Sequence, residues 1–252
     1  MQVGGAVRHV LSFGAGVNTV ALMILLVKER APLDEVLFAD TGGEVPETYD
    51  SLNVARDYLA EHGIPLTVVE SRPGGTDLFG TAERRRVIPS VQWRWNTRDF
   101  KVRPIHRYYK TLKVHINQYI GIAFDEIHRM RDSRVAFVDN LYPLVDRRLK
   151  RVDCVEIIKS AGLPVPVKSG CFFCPFNSTE RWQWLLDHHP DLFDKAIYLE
   201  ENSKHFPRQR LTDQIFRNRD KVTLREFKAR LLPVHELVQI ADDQACGGEC
   251  MT

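Results

Sequence analysis

The chain lacks a long hydrophobic run, a charged leader and a framework of cysteines, and it carries almost no excess of charge. Its longest apolar stretch, Val20 to Val27, stops at Lys28, far short of the ~20 residues that cross a bilayer, which excludes a membrane-spanning helix. Met1 to Arg8 shows no basic segment followed by an apolar core, so no secretory signal is read; a cytoplasmic location and no membrane partner are expected. Five cysteines, an odd number, do not make a disulfide framework. Four of them form two close pairs, Cys171 with Cys174 and Cys246 with Cys250, which fits a metal or redox site in a reducing compartment. A net charge of +2 predicts by itself no polyanionic partner. What is present, 252 residues with 44% hydrophobic and 27% charged, has the mix of one large globular domain or of a domain with an appendage.

Arg8 to Phe13 reads as a strand running into the turn Gly14-Ala15-Gly16, and Thr19 to Lys28 as a helix with a broad apolar face. The pattern repeats, with Glu35 to Ala39 as a buried strand, a turn at Asp40 to Gly43, and a helix opened by Pro46 and closed before Gly63. Leu66 to Glu70 makes a third strand. Strands alternating with helices predict parallel pairing through right-handed crossovers, hence an α/β fold with a doubly wound, mostly parallel sheet. Ligands bind such sheets at the carboxyl ends of strands, where Ser12 to Thr19 and Asp40 to Gly43 both fall. From Ser71 to Ile116 prolines and glycines break the pattern, with a helix expected from Pro104 to Lys113. Strands are expected at Tyr119 to Phe124 and Val135 to Val138, and helices over Asp146 to Ala161, Thr179 to His188, Pro190 to Ser203 and Thr223 to Leu232. These elements predict an α/β core over 1–145 and a helical, cysteine-bearing C-terminal region over 146–252. On the helix at 179–188, Trp182 and Trp184 are expected in the core.

A strand running into Ser12-Phe13-Gly14-Ala15-Gly16-Val17-Asn18-Thr19 and then a helix gathers backbone N–H groups and a positive dipole end at one point, which suits phosphate, although a plain tight turn has the same pattern. Three further segments weigh on that choice. Phe38-Ala39-Asp40-Thr41-Gly42-Gly43-Glu44-Val45-Pro46-Glu47-Thr48-Tyr49 resembles the D-T-G-x-x-x-x-E-T segment of the phosphoadenosine-phosphosulfate reductase family, within the ATP pyrophosphatase (PP-loop, adenine nucleotide alpha-hydrolase-like) superfamily. Asn96 to Pro104 is similar to that family's C-T-x-x-x-K-x-x-P segment, and Ile120 to Glu126 to its G-x-x-x-x-E strand. The resemblance implies that Ser12, Gly14, Ala15, Gly16, Asn18 and Thr19 wrap the β- and γ-phosphates of ATP, that Asp40, Thr41 and Gly42 border the adenosine, and that Arg98 and Lys101 neutralise phosphate charge. It implies Mg2+ as well, with Asn18, Arg98, Lys101 and Glu126 as the catalytic set. The superfamily's usual S-G-G-x-D-S reads Gly14 to Thr19 here, without the first hydroxyl and without the carboxylate. Asn18 is no anionic metal ligand, and Ser12 or Asp40 could stand in. Without the resemblance, Asp40 reads equally as a turn residue, Glu126 as a first-turn helix acid, and Arg98 and Lys101 as a solvated face.

Cys171-Phe172-Phe173-Cys174-Pro175 is a C-x-x-C knuckle, and Cys246 and Cys250 supply the second pair for a four-thiolate metal site. Zinc and a [4Fe-4S] cluster both suit such a site; the Cys-Pro step, the phenylalanines and the sulfur-metabolising relatives favour the cluster. Cys154 could replace one tail cysteine or be a small buried hydrophobe. The tail keeps Glu249-Cys250 of the E-C-G-x-H context of the family's reductases but neither the Gly nor the His.

Residues 84–113 hold ten Lys or Arg against the single acid Asp99, with Trp93, Trp95, Tyr108 and Tyr109 interleaved. The small total charge therefore conceals a segment at +9 that suits a nucleic acid, guanidinium groups on phosphates and rings on bases, or else an ATP site with solvated neighbours. The reading that joins these features is an ATP pyrophosphatase that adenylates a substrate for sulfur transfer, of the DNA phosphorothioation type. Its expected partners are a nucleic acid (DNA before tRNA), a cysteine desulfurase as sulfur donor and other modification proteins. The alternatives are an adenylyl-sulfate or phosphoadenylyl-sulfate reductase, a tRNA thiolation enzyme and a non-catalytic nucleotide sensor.

Overall fold

Val7–Phe13 (β1) forms a strand whose second half is buried on both faces, as the centre of a parallel sheet requires. The computed structural model describes residues 6–89, 94–203 and 222–231. After β1 come α1 (Val17–Lys28), β2 (Glu35–Asp40), α2 (Pro46–Glu61), β3 (Leu66–Glu70) and α3 (Leu78–Arg85). The single turn α4 (Trp95–Thr97) leads through a π turn at Arg98–Val102 into α5 (Arg103–Leu112), and β4 (His115–Ile120) follows. A 3-10 segment at Phe124–Arg129 precedes β5 (Val138–Leu141), the short α6 (Pro143–Asp146) and α7 (Arg151–Ser160). The remaining described helices are α8 (Thr179–His188), α9 (Pro190–Ser203) and α10 (Leu224–Leu231).

All five strands pair in parallel in the order β3-β2-β1-β4-β5. This is the expected doubly wound sheet. Its order reverses between β1 and β4, and at such a reversal the two following connections leave on opposite faces and open a crevice. On one face, α1 and α2 pack with α7 through Leu22, Met23, Leu52, Leu59, Cys154 and Ile158. On the other, Ile105 and Tyr109 of α5 cover Val10, Leu37, Ile116 and Val138.

The first four expected elements hold to within two residues, but β4 and β5 lie elsewhere in the chain. β4 is His115–Ile120 rather than Tyr119 to Phe124, in register from Val7↔His115 to Ser12↔Ile120. Its polar residues conceal it: Gln118 is buried, takes a 2.9 Å hydrogen bond from the Tyr109 hydroxyl and donates to Asn140 at 3.1 Å, so a polar side chain is satisfied inside the sheet. β5 begins at Val138, where the expected strand ended. The helix expected over Asp146 to Ala161 starts only at Arg151 as α7; α6 ends at Asp146, and Arg148 between them lies in the left-handed backbone region.

The chain forms two compact units, 1–81 with 92–171, and 82–91 with 172–252. The first continues past 145 because α7 buries Cys154 and Ile158 against α1. In the second, Trp182, Leu185, Phe193, Leu199 and Phe227 form the apolar interior of α8, α9 and α10. Glu200 caps α10 by accepting the Leu224 amide at 2.7 Å. Trp182 is buried as expected, but Trp184 is not; it lies at the surface of α8 with the Arg181 guanidinium 3.8 Å above its ring and His188 stacked on it.

Candidate functional site

The loop after β1 turns tightly enough to put Ala15 at φ 52°, a left-handed conformation that costs an alanine about 1–2 kcal/mol. The Ser51 hydroxyl of α2 holds it by donating to the Ala15 carbonyl at 3.1 Å. Gly16 then caps α1, its amide donating to Thr19 Oγ1 at 3.2 Å while the Thr19 hydroxyl donates back to the Gly16 carbonyl at 3.0 Å. No acid stands in the first turn of α1, so the chain's local sequence leaves the positive dipole end without a countercharge. Ser12, Gly14, Ala15, Gly16, Asn18 and Thr19 are thus all at the carboxyl end of β1 or in the first turn of α1.

From the far side of the crevice, the segment after β4 closes on the same turn. A Cβ at Gly121 would lie 2.6 Å from Thr19 Cγ2 and 3.0 Å from the Thr19 backbone, so only glycine lets the end of β4 approach α1 this closely. Five residues on, Glu126 accepts a 2.9 Å hydrogen bond from Asn18 Nδ2 and pairs with Arg129. Glu126 stands in the 3-10 segment and not in a strand. Two residues 108 positions apart in sequence, both expected in the site, meet at the sheet's reversal.

Asp40 ends β2 and accepts from three donors. One oxygen accepts from the Gly42 amide at 2.9 Å and the Tyr49 hydroxyl at 2.8 Å, and the other from Arg72 at 3.0 Å. Burial raises its pKa, but these donors together outweigh burial and hold the carboxyl below the usual aspartate value. Burial and the neighbouring Asp40 carboxylate push the Tyr49 hydroxyl well above its ordinary range, so it stays a donor. Asp40 therefore shapes the Thr41-Gly42-Gly43 turn; three donors already share its two oxygens, which leaves it a poor stand-in for the carboxylate absent from the phosphate loop. Arg72 has no signal in the sequence, and Tyr49 stands at the end of the family-like segment without an expected role. Arg72 meets Asp40 because β2 and β3 pair Asp40 with Glu70, a register that only the folded sheet sets.

Lys101 reaches the same turn, its ammonium 2.9 Å from Glu44, whose carboxylate is buried and also receives the Thr41 hydroxyl at 3.4 Å. Arg98 instead pairs in a fork with its neighbour Asp99, at 2.8 and 3.1 Å, and Arg103 shares that carboxylate at 2.9 Å. Among the described residues, the aromatic side chains of the basic segment are engaged within the fold. Trp95 and Tyr109 are buried, and the Tyr108 hydroxyl donates to Glu35 at 2.6 Å, because α5 needs an apolar face to cover the sheet. Trp93 lies outside the described residues. Arg94, Arg107, Lys110 and Lys113 are exposed.

The stretch leading to the cysteine knuckle passes both loops. Ser169 Oγ lies 2.6 Å from where a Gly16 Cβ would be, and Cys171 forms an antiparallel bridge with Glu44. The first knuckle cysteine thus stands where the Asp40 to Glu44 turn meets Lys101. Cys174 follows in the second unit, where the buried Asn177 ties the turn by donating its amide N–H to the Cys174 carbonyl at 3.0 Å and Nδ2 to the Phe172 carbonyl at 3.2 Å. Cys246 and Cys250 lie outside the described residues. Cys154 sits fully buried in the core between α7 and α1, where burial pushes its thiol up to about 11, which fits the small buried hydrophobe of the two readings. Among the described residues no group of three or more His, Cys, Asp or Glu could hold a metal.

The sequence pattern of the phosphoadenosine phosphosulfate reductase domain matches residues 8–140, more than half of the chain. The chain belongs to that family. This phosphoadenosine phosphosulfate reductase domain has no significant match among curated proteins. Among solved structures it is similar to the U34-tRNA thiolase NcsA from Methanococcus maripaludis with its [4Fe-4S] cluster, at 14% identity and a TM-score of 0.51, over 85% of this chain and 78% of that one. It is also similar to phosphoadenylyl-sulfate reductase from Candida auris in a phosphate complex, at 18% identity and a TM-score of 0.45, over 64% of this chain and 74% of that one. The thiolase shares the PP-loop α/β fold.

Proposed function

We propose that this chain is an ATP pyrophosphatase that adenylates an oxygen of a nucleic acid so that sulfur can replace it. The observation that carries the reading is the course of residues 169–171, which pass the phosphate loop at Gly16 and the Asp40 to Glu44 turn at Cys171. A nucleotide held by those two loops would have a thiol-bearing segment beside it.

The amides at the start of α1 suit the β- and γ-phosphates, and the turn built by Asp40 suits the adenosine. With the outer phosphates held, an acceptor oxygen attacks the α-phosphorus, the α–β bridging bond breaks, and pyrophosphate leaves. The terminal sulfur of a persulfide then attacks the carbon or phosphorus that bears the adenylated oxygen, AMP departs, and a second thiol cleaves the resulting S–S bond, leaving sulfur on the acceptor and a disulfide on the carrier. To balance phosphate charge, Lys101 would have to share its ammonium between the nucleotide and Glu44, and Arg98 would have to leave Asp99. Exposed Arg107, Lys110 and Lys113 supply phosphate contacts for DNA, with a cysteine desulfurase as sulfur donor and other modification proteins presenting the duplex. A [4Fe-4S] cluster or zinc on Cys171, Cys174, Cys246 and Cys250 would bind and hold sulfur or fix the knuckle. The described residues bring only two of those thiolates, so no step here passes through it.

The test is the product of ATP turnover. Purified protein with a desulfurase, cysteine, DNA and Mg2+ should give AMP and pyrophosphate; ADP with phosphate, or no turnover, sinks the reading, and tRNA in place of DNA identifies the acceptor. The family's name favours a second reading, reduction of adenylyl sulfate or its 3′-phosphorylated form. That reading requires sulfite release that Cys250→Ser abolishes.

A further inference from the structure

The ATP site proposed above leaves one side-chain atom without a role. Asn18 is 8% exposed, its Nδ2 is taken by Glu126, and its Oδ1 is buried with no hydrogen-bond partner. A buried oxygen left unpaired forfeits the hydrogen bonds that water would give it. Turning the amide over would not relieve it, because the oxygen would then face the Glu126 carboxylate. Glu126 thus selects the orientation in which Asn18 presents a carbonyl oxygen, at the first turn of α1, with nothing to bind.

The position of Glu126 is as telling. A carboxylate one side chain away from a helix N-terminus that is to receive a triphosphate repels it unless a cation comes between them. Glu126 is one-third exposed, so a ligand can reach it, while Arg129 holds one of its oxygens and steadies it. Mg2+ takes oxygen donors and characteristically uses one or two protein ligands together with phosphate oxygens and water, so no preformed cage of three is needed. The absence of such a cage among the described residues agrees with this.

We propose that Asn18 Oδ1 and the Glu126 carboxylate together form the protein's half of the site for the nucleotide's divalent cation, completed by phosphate oxygens. The negative charge absent from the loop at Asn18 is supplied across the crevice from the segment after β4. Asn18 Oδ1 is the neutral ligand, Glu126 the charged one, and the hydrogen bond between them sets the geometry of both.

The proposal rests on the ATP reading, and the experiment separates the two. Mn2+ binding is followed by electron paramagnetic resonance in the presence of α,β-methylene-ATP, and binding of the analogue alone is followed in EDTA. Wild type, Glu126→Gln and the swap Asn18→Asp with Glu126→Gln are compared, each checked for folding by its thermal midpoint. Glu126→Gln should lower Mn2+ affinity at least about tenfold and leave metal-free analogue binding unchanged or tighter. The swap restores one charge and reverses the hydrogen bond, and should recover most of the Mn2+ affinity. If the wild type binds the analogue and Glu126→Gln holds Mn2+ as well as it does, the cation site is refuted and the ATP reading stands. Equal loss of Mn2+ and metal-free analogue binding refutes the cation site too, since it marks a structural role. A wild type that binds no analogue under either condition overturns both.

Discussion

Gly121→Ala tests the close approach that joins β4 to the phosphate loop. The new methyl would stand 2.6 Å from Thr19 Cγ2 and 3.0 Å from Thr19 Cα and N. Two relaxations are open. If α1 moves with Thr19 unrotated, it must retreat by about 0.8 Å to bring Thr19 Cγ2 from 2.6 Å to an ordinary 3.4 Å contact, and overpacking of this kind costs about 1–3 kcal/mol. If Thr19 rotates away, it gives up both hydrogen bonds to Gly16, at about 0.5–1.5 kcal/mol each. The methyl still meets Thr19 N at 3.0 Å, so rotation alone does not clear the clash. Both routes lead to a loss of about 1–3 kcal/mol and to a displaced phosphate loop. The measurement is urea unfolding, read as a fall in midpoint at unchanged slope, together with ATP affinity. Gly14→Ala is the control, because a Cβ there meets nothing within 4 Å; its stability should stay within about 0.5 kcal/mol of wild type. A Gly121→Ala protein as stable and as tight for ATP as wild type, or no less stable than the Gly14→Ala control, would refute the reasoning.

Asp40→Asn should destabilise the fold in a pH-dependent way. The folded carboxyl is held below its ordinary value, so its contribution is fully present above about pH 4 and is lost as pH falls through the lower folded value; urea midpoints of wild type and variant from pH 6 to pH 2 should converge at the acid end. Cys154 should resist maleimide in the native protein, because a thiol pushed up to about 11 is roughly one part in a thousand thiolate at pH 8, and Cys154→Ala should leave iron or zinc content unchanged. Tyr109→Phe removes a 2.9 Å hydrogen bond to buried Gln118 and should cost about 1–2 kcal/mol with no change in DNA affinity; weaker DNA binding by a stably folded variant would contradict the burial of that ring. Replacing Arg107, Lys110 and Lys113 together with Ala should weaken DNA binding and flatten its dependence on log salt by about one for each phosphate no longer neutralised, measured by fluorescence anisotropy at several salt concentrations.

The parts of the site that could be read in the chain are those whose chemistry is local. Gly14 to Thr19 and Asp40 to Gly43 advertise themselves by composition, because a tight turn into a helix needs small residues and a cap. Glu126 could be found by its segment, though its secondary structure was misread. Arg72 and Asn177 could not be picked out in the same way: each is an ordinary polar residue until folding sets it against Asp40 or the carbonyls of Phe172 and Cys174. The basic segment shows the opposite failure. Its aromatic residues look like stacking platforms in sequence, yet α5 commits Tyr109 to the core and Tyr108 to Glu35, since an amphipathic helix has one apolar face and the sheet claims it.

Alternation of apolar runs with helical periods determined the α/β class and the parallel sheet, because strands buried on both faces and joined by helices have few other ways to pair. The same regularity says nothing about which strand follows β1 across the sheet. Folding placed β4 there, through a strand whose polar Gln118 is satisfied only by partners distant in the chain, and with it brought Gly121 against Thr19 and Glu126 against Asn18. The missing carboxylate of the phosphate loop was visible in sequence as an asparagine. That a glutamate stands 2.9 Å from it was decided only in three dimensions, where a hydrogen bond across the crevice depends on distance in space and not along the chain.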